Sequence, residues 1–274
     1  MNTKLVKLFV YFTLISSVII SIYPIFHVLI TSFKQVGEYI DNRYFLPKHW
    51  VIDNYKFVIK QGNFLYYFRN NLILIPSAMI FYLFVCITAG FAFGRLRFPL
   101  RLPLFMLVLF LMIFPQMLLS IQIFHLCAKL HLINSFLGLI LVWTAYFAPF
   151  GTYIMTTFFS SLPFEIIESA RIDGASTWRI LAHIALPIAR PMLGILVVIG
   201  FQSMWNELPF SLLLLQRMEM RTVTLGMAML QGQYGIAEPI QSAAIMLAAL
   251  IPMVVFVFFQ KYIASGAFIG AIKG

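Results

Sequence analysis

The chain has 274 residues, of which 62% are hydrophobic and only 10% charged, more apolar than a soluble core of this size requires. With a mean hydropathy of +0.94 it reads as an integral membrane protein, and its net charge of +10 does not argue for nucleic acid. The basic residues lie scattered at the ends of apolar segments and form no patch with interleaved aromatics.

Runs of about 20 apolar residues predict six membrane-spanning helices. They are Leu8 to Ile30, Leu72 to Phe93, Leu102 to Ile123, Phe136 to Phe158, Met192 to Leu215 and Ile240 to Phe259. The first is too long for a signal-peptide h-region and lacks a small-residue cleavage site before Lys34, so it is expected to be retained. The expected fold is all-α and polytopic. It divides into residues 1–71, a first helix with an external loop, and a core of residues 72–274. Total basic charge hardly separates the two sides of the membrane. Clustering does: Arg95, Arg97 and Arg101 crowd one short loop without an acid, whereas the charges from Lys34 to Arg69 are interspersed with Glu38, Asp41 and Asp53. Both termini are therefore placed in the cytoplasm. Gly90 and Gly94 stand at GxxxG spacing, a pairing common by chance among 15 glycines, and receive no role. Cys86 and Cys127 suit neither a metal site nor a disulfide framework.

Between the fourth and fifth spans, residues 160–187 gather Glu165, Glu168, Arg171, Asp173, Arg179 and His183. Each Asp, Lys or Arg at mid-bilayer costs roughly 2.5–3.5 kcal/mol, so this stretch must face water. It reads as two short helices. Pro163 opens the first and Gly174 turns it off, with Phe164, Ile166, Ile167 and Ala170 on one arc. Ser176 caps the second, in which Trp178, Leu181, Ala182 and Ala185 recur at helical spacing, and Pro187 discourages continuation. So short an amphipathic element needs a partner surface.

The run Glu168-Ser169-Ala170-Arg171-Ile172-Asp173-Gly174, followed by Ile184, Leu186 and Pro187, resembles the EAA loop of ABC-importer permeases. Ser169 replaces the usual alanine. Over nearly the whole chain the likeness narrows to the second, shorter permease of maltose-type carbohydrate importers. Phe45 to Trp50 with Asp53-Asn54-Tyr55, Trp205-Asn206-Glu207, Gln231 to Gly235 and Gly270 to Gly274 are similar to further family stretches. The resemblance implies the type I permease fold and a bacterial or archaeal inner-membrane location. It implies a heteromeric complex with a second permease, two ATPase subunits and an extracytoplasmic solute-binding protein, importing a sugar by alternating access. In that family the loop at 160–187 docks on the ATPase, the tail with Gly270, Lys273 and Gly274 contacts the two ATPase subunits, and the segment Gln216 to Thr222 can enter the binding protein. A plain solvated connector is the other reading of that segment. The chain itself would perform no chemistry and bind no cofactor or metal, with ATP and Mg2+ on the partner.

Trp205-Asn206-Glu207 interrupts an apolar span just before Pro209, and a carboxylate there must find a partner or water. One reading places Asn206 or Glu207 on the sugar pathway with Trp205 as a stacking face. The other makes the cluster a helix end at the headgroups or a structural kink. No GxxxxGK[ST] loop, HExxH pair or GxSxG elbow occurs, so the energy has to come from outside the chain. A stand-alone secondary carrier lacks inverted repeats here, and an intramembrane enzyme lacks paired catalytic groups.

Overall fold

The computed structural model describes residues 3–234 and 237–271, and for residues 3, 5, 232–234 and 261–271 it describes the backbone alone; every regular element among them is helical. Among the described residues, four helices are long and apolar enough to cross a membrane on their own. They are α1 (Thr3–Ser32), α4 (Phe64–Arg95), α7 (Phe136–Ser160) and α14 (Glu238–Ala271), and shorter helices α2 (Val36–Asp41) and α3 (Asp53–Lys60) follow α1. Each long helix carries one internal proline, at Pro24, Pro76, Pro149 and Pro252. Membrane helices tolerate this because neighbouring groups can re-pair the freed carbonyl.

Two spans expected as single helices are broken. In place of Leu102 to Ile123 the chain forms α5 (Arg101–Leu111) and α6 (Gln116–Lys129), bent by 102°. The cause is Pro115, extended at φ −60, ψ 138, which has no N–H to give and disfavours helical geometry in the residue before it. The fifth span, expected from Met192 to Leu215, ends early: α11 runs Arg190–Trp205 and a separate α12 runs Pro209–Leu214. Before α11, an 81° bend separates it from Thr177–Ile188. Pro191 at its first turn gives α11 a fresh start there.

The chain forms two compact units, Met1–Leu65 with Gly226–Leu250, and Tyr66–Leu225 with Ile251–Gly274. In the first, the end of α1 is tied to the following loop by buried polar groups. Lys34 is fully buried, and its Nζ donates to the carbonyls of Asn42 (2.6 Å) and Arg43 (3.0 Å). Burial pushes its pKa down, opposed by the nearby Glu38 carboxylate. Asn54 on α3 donates to the carbonyls of Ser32 and Lys34, and Glu38 accepts the backbone N–H of Lys48 at 2.6 Å. By contrast, the most apolar window of α1 buries none of its residues within the chain, as a lipid- or partner-facing helix would.

In the second unit, glycines set the spacing of the helices. A Cβ on Gly90 would lie 2.4 Å from that of Met155, and one on Gly94 would lie 2.9 Å from that of Phe159. The GxxxG pair given no role above is therefore the surface on which α4 meets α7, where no Cβ fits on the α4 side. Gly151 on α7 and Gly200 on α11 both close on Tyr82 of α4, which is 1% exposed.

Candidate functional site

The stretch between α7 and α11 folds as the expected knob. Pro163 stands at the N-cap of α8 (Phe164–Ile172), with Glu165 in the first turn where the helix dipole is positive. The C-terminus closes as a Schellman motif. Gly174 takes φ +78, its N–H bonds to the Arg171 carbonyl at 3.0 Å, and the Ala175 N–H bonds back to the Ala170 carbonyl at 2.9 Å. Ser176 then caps α9 (Thr177–Ile180) by accepting the Arg179 N–H, and the chain passes through a π-turn, Leu181–Ala185, into α10 (Leu186–Ile188). Pro187 thus falls within the continuing helix, which ends only at Ile188.

One side of the knob is anchored in the chain: Ile167, Ala170, Ile180, Leu181 and Ala185 are buried. The other is open and apolar, with Ile172 83% and Trp178 65% exposed, beside Phe164 and Ile166. The arc drawn from the sequence is narrower than expected, since only Ile167 and Ala170 of its four residues are buried. Glu168, Ile184 and Leu186 are half-buried, and Ser169, Arg171, Asp173, Gly174 and Pro187 are exposed. Ser169 bonds back to the Ile166 carbonyl at 3.2 Å. Arg95, visible in the sequence only as a topology charge, clamps the knob's root: Nε donates to the Phe159 carbonyl at 2.6 Å, and a terminal nitrogen donates to the Leu162 carbonyl. It adds a side-chain donor to carbonyls at the end of α7 and just beyond it.

At the opposite end of α11, Glu207 is 5% exposed and ringed by donors from three elements. Its Oε1 accepts from Gln116 Nε2 and the Phe210 N–H, both at 2.6 Å. Its Oε2 accepts from Trp143 Nε1 (3.0 Å), the Ser211 N–H (3.0 Å) and Ser211 Oγ (2.8 Å). Five donors thus converge on the two oxygens of one buried side chain, which all of these contacts use as acceptors. The two backbone donors are the first N–H groups of α12, and Gln116 is the first residue after the 102° bend, so Glu207 joins two broken helices to the middle of α7. Trp205 is buried with its face stacked on Phe201 at 5.5 Å, and Asn206 is exposed, its Nδ2 donating to the Gln202 carbonyl at 3.0 Å. Sequence reasoning named the Trp205-Asn206-Glu207 cluster but missed Gln116, Trp143 and Ser211, whose distances along the chain carry no signal.

The segment after α12 is held in place as well. Asn134 Oδ1 accepts the N–H groups of Gln216 (2.7 Å) and Arg217 (3.0 Å), and Asn70 Nδ2 donates to the carbonyls of Glu219 (2.7 Å) and Arg221 (3.0 Å). A single 3₁₀ turn, Met218–Met220, lies between, followed by α13 (Val223–Tyr234). Of the predicted C-terminal tail, Gly270 is in the last turn of α14, while Lys273 and Gly274 lie outside the described residues, as does Gly235 of the glycine-rich stretch. Among the described residues no cluster of His, Cys, Asp or Glu could hold a metal.

Residues 86–267 match the family described as binding-protein-dependent transport system inner membrane component. The chain is 31% identical over 93% of its length to the diacetylchitobiose uptake system permease protein NgcG of Streptomyces coelicolor, covering 85% of that protein. It is 29% identical to the arabinooligosaccharides transport system permease protein AraQ of Bacillus subtilis, over 98% of this chain and 96% of that one. With the trehalose/maltose transport system permease protein MalG of Thermococcus litoralis it shares 31% identity, over 93% of each. Among solved structures it superposes on a chain of a bacterial ABC transporter involved in the import of the acidic polysaccharide alginate. The TM-score is 0.82 at 20% identity, covering 96% of this chain and 98% of that one, which is a likeness of fold.

Proposed function

The chain belongs to the binding-protein-dependent transport system inner membrane component family, and from that premise we propose that it carries an oligosaccharide across the membrane in a complex driven by a separate ATPase. It is a multi-pass membrane protein and a transporter permease. The partners are a second permease, two ATPase subunits that hold ATP and Mg2+, and an extracytoplasmic binding protein that delivers the sugar. Both termini and the knob face the cytoplasm of a bacterial or archaeal cell, and the chain does no chemistry of its own. Relatives whose names specify diacetylchitobiose, arabinooligosaccharides and trehalose or maltose support a short saccharide as the solute.

The observation that carries this reading is the knob's two-sidedness. Ile172 and Trp178 stand exposed on a rigid, capped element whose other face is packed into the chain. Exposed large apolar groups rimmed by Glu165, Arg171, Asp173 and Arg179 mark a docking surface, and we assign it to the ATPase. ATP-driven closure would then displace the knob, and through Arg95 and α10 the movement reaches α4, α7 and α11. At the other end, Asn206 is the group of its cluster open to sugar hydroxyls, while Glu207, engaged by the chain's own donors, holds the break in the fifth span. The tail with Gly270, Lys273 and Gly274 is proposed to extend the ATPase contact, and the Gln216–Thr222 segment to meet the binding protein.

The test is affinity purification of the tagged chain from native membranes beside an Ile172→Lys variant. The parent should retain an ATPase and a second permease, and the variant should keep the permease but lose the ATPase. Equal ATPase recovery with both, or recovery of the chain alone, would overturn the docking assignment.

A further inference from the structure

Within the segment Gln216 to Thr222 the backbone closes a 3₁₀ turn at Met218–Met220. Further bonds reach it from elsewhere in the second unit. Asn134, in the turn between α6 and α7, accepts the two N–H groups at its start, and its own N–H bonds to the Leu214 carbonyl at 2.7 Å. Asn70, fully buried near the start of α4, donates to two carbonyls toward its end, and its neighbour Asn71 accepts the Val223 N–H at 3.2 Å. Between these clasps Arg217, Met218 and Glu219 stand exposed on the 3₁₀ turn. A surface loop whose backbone bonds are made by the buried Asn70 and Asn71 of α4 and the half-buried Asn134 of the α6–α7 turn is pre-organised, and it moves when those elements move.

We infer that Asn70 and Asn134 are positioning residues that present the Arg217-Met218-Glu219 tip to the solute-binding protein in a fixed conformation tied to α4 and to the α6–α7 turn. This rests on the proposal that the segment meets that protein. The tip offers a cation, a thioether and a carboxylate side by side, a mixed surface that can pair with polar groups around a cleft and still exclude water. Because the clasps fix the tip beforehand, little conformational freedom is lost on docking, and the effect of loosening them falls on the encounter with the binding protein.

The two asparagines use opposite halves of their amides, which gives the idea a sharp test. Asn134 acts as an acceptor, and Asn134→Asp keeps an oxygen there; both residues tolerate its left-handed φ of 54. Asn134→Gly removes the acceptor without backbone strain. Asn70 acts as a donor, so Asn70→Asp sets a carboxylate against two carbonyl oxygens.

The complete importer is reconstituted in vesicles with its binding protein, and the binding-protein concentration for half-maximal uptake is measured. Replacing Arg217, Met218 and Glu219 together by alanine should raise it about tenfold. Asn134→Gly and Asn70→Asp should each raise it about three- to tenfold, Asn134→Asp should stay within about twofold of the parent, and neither loss variant should add to the triple-alanine background. The maximal rate and the recovery of intact complex should hold, separating positioning from a general structural defect. An unchanged triple-alanine variant would remove the docking reading itself. If the tip matters, additive effects on that background, or Asn134→Asp failing as badly as Asn134→Gly, would overturn the positioning role alone.

Discussion

Glu207→Gln changes one atom of the carboxylate, and the geometry says which bonds fail. The new NH2 group must replace either Oε1 or Oε2. At Oε2 it confronts the indole N–H of Trp143 and the backbone N–H of Ser211, neither of which can turn away. At Oε1 it confronts Gln116, whose amide can flip, and the backbone N–H of Phe210, which cannot. The second arrangement is preferred and strands one buried donor, at about 1–3 kcal/mol. The whole change is therefore worth about 1–3 kcal/mol, a large share of the stability of an ordinary domain. The assay is thermal unfolding of the detergent-solubilised chain followed by size-exclusion chromatography, comparing the parent, Glu207→Gln, Gln116→Ala and the double variant. Gln116→Ala should be the milder single change, and the double variant should come close to the sum, because the donor stranded by Glu207→Gln is the Phe210 N–H whereas Gln116→Ala removes a different bond. A Glu207→Gln protein as stable as the parent but altered in solute affinity would refute the reasoning and put the carboxylate on the sugar path.

Gly90→Leu should prevent α4 from seating on α7, because even its Cβ would lie 2.4 Å from that of Met155; the expected result is loss of a monodisperse species in size-exclusion chromatography. Gly174→Ala has open space around the added carbon, so its cost comes from the backbone at φ +78, about 1–2 kcal/mol, and it should lower ATP-driven uptake while leaving membrane insertion intact. The Glu38 carboxyl is held below its ordinary value of 4.5, chiefly by the backbone N–H of Lys48, so it stabilises the loop above that pH. The contribution is lost as pH falls through the lowered folded-state value. Fluorescence reporting on Trp50, which packs on Phe33, should show the loop loosening there, and Glu38→Gln should remove that acid transition.

The sequence by itself determined the class, the number of membrane crossings to within two broken ones, and the position of the knob. Each of these follows from local patterning: apolar length gives spans, and Pro163, Gly174 and Ser176 mark helix ends through the backbone conformations they favour or the donors they satisfy. The break at Pro115 was written in the chain as well, but long apolar runs on both sides concealed it, since hydropathy does not register a missing N–H; the break before Pro209 is marked by the polar Trp205-Asn206-Glu207 interruption. What only the tertiary structure decided are the pairings between distant residues. Arg95 reaches the end of α7, Gly90 and Gly94 receive Met155 and Phe159, Gln116 and Trp143 converge on Glu207, and three asparagines clasp a loop. An asparagine or tryptophan on an apolar helix carries no address for its partner. The partner is fixed when packing excludes water and brings distant polar groups within hydrogen-bond reach.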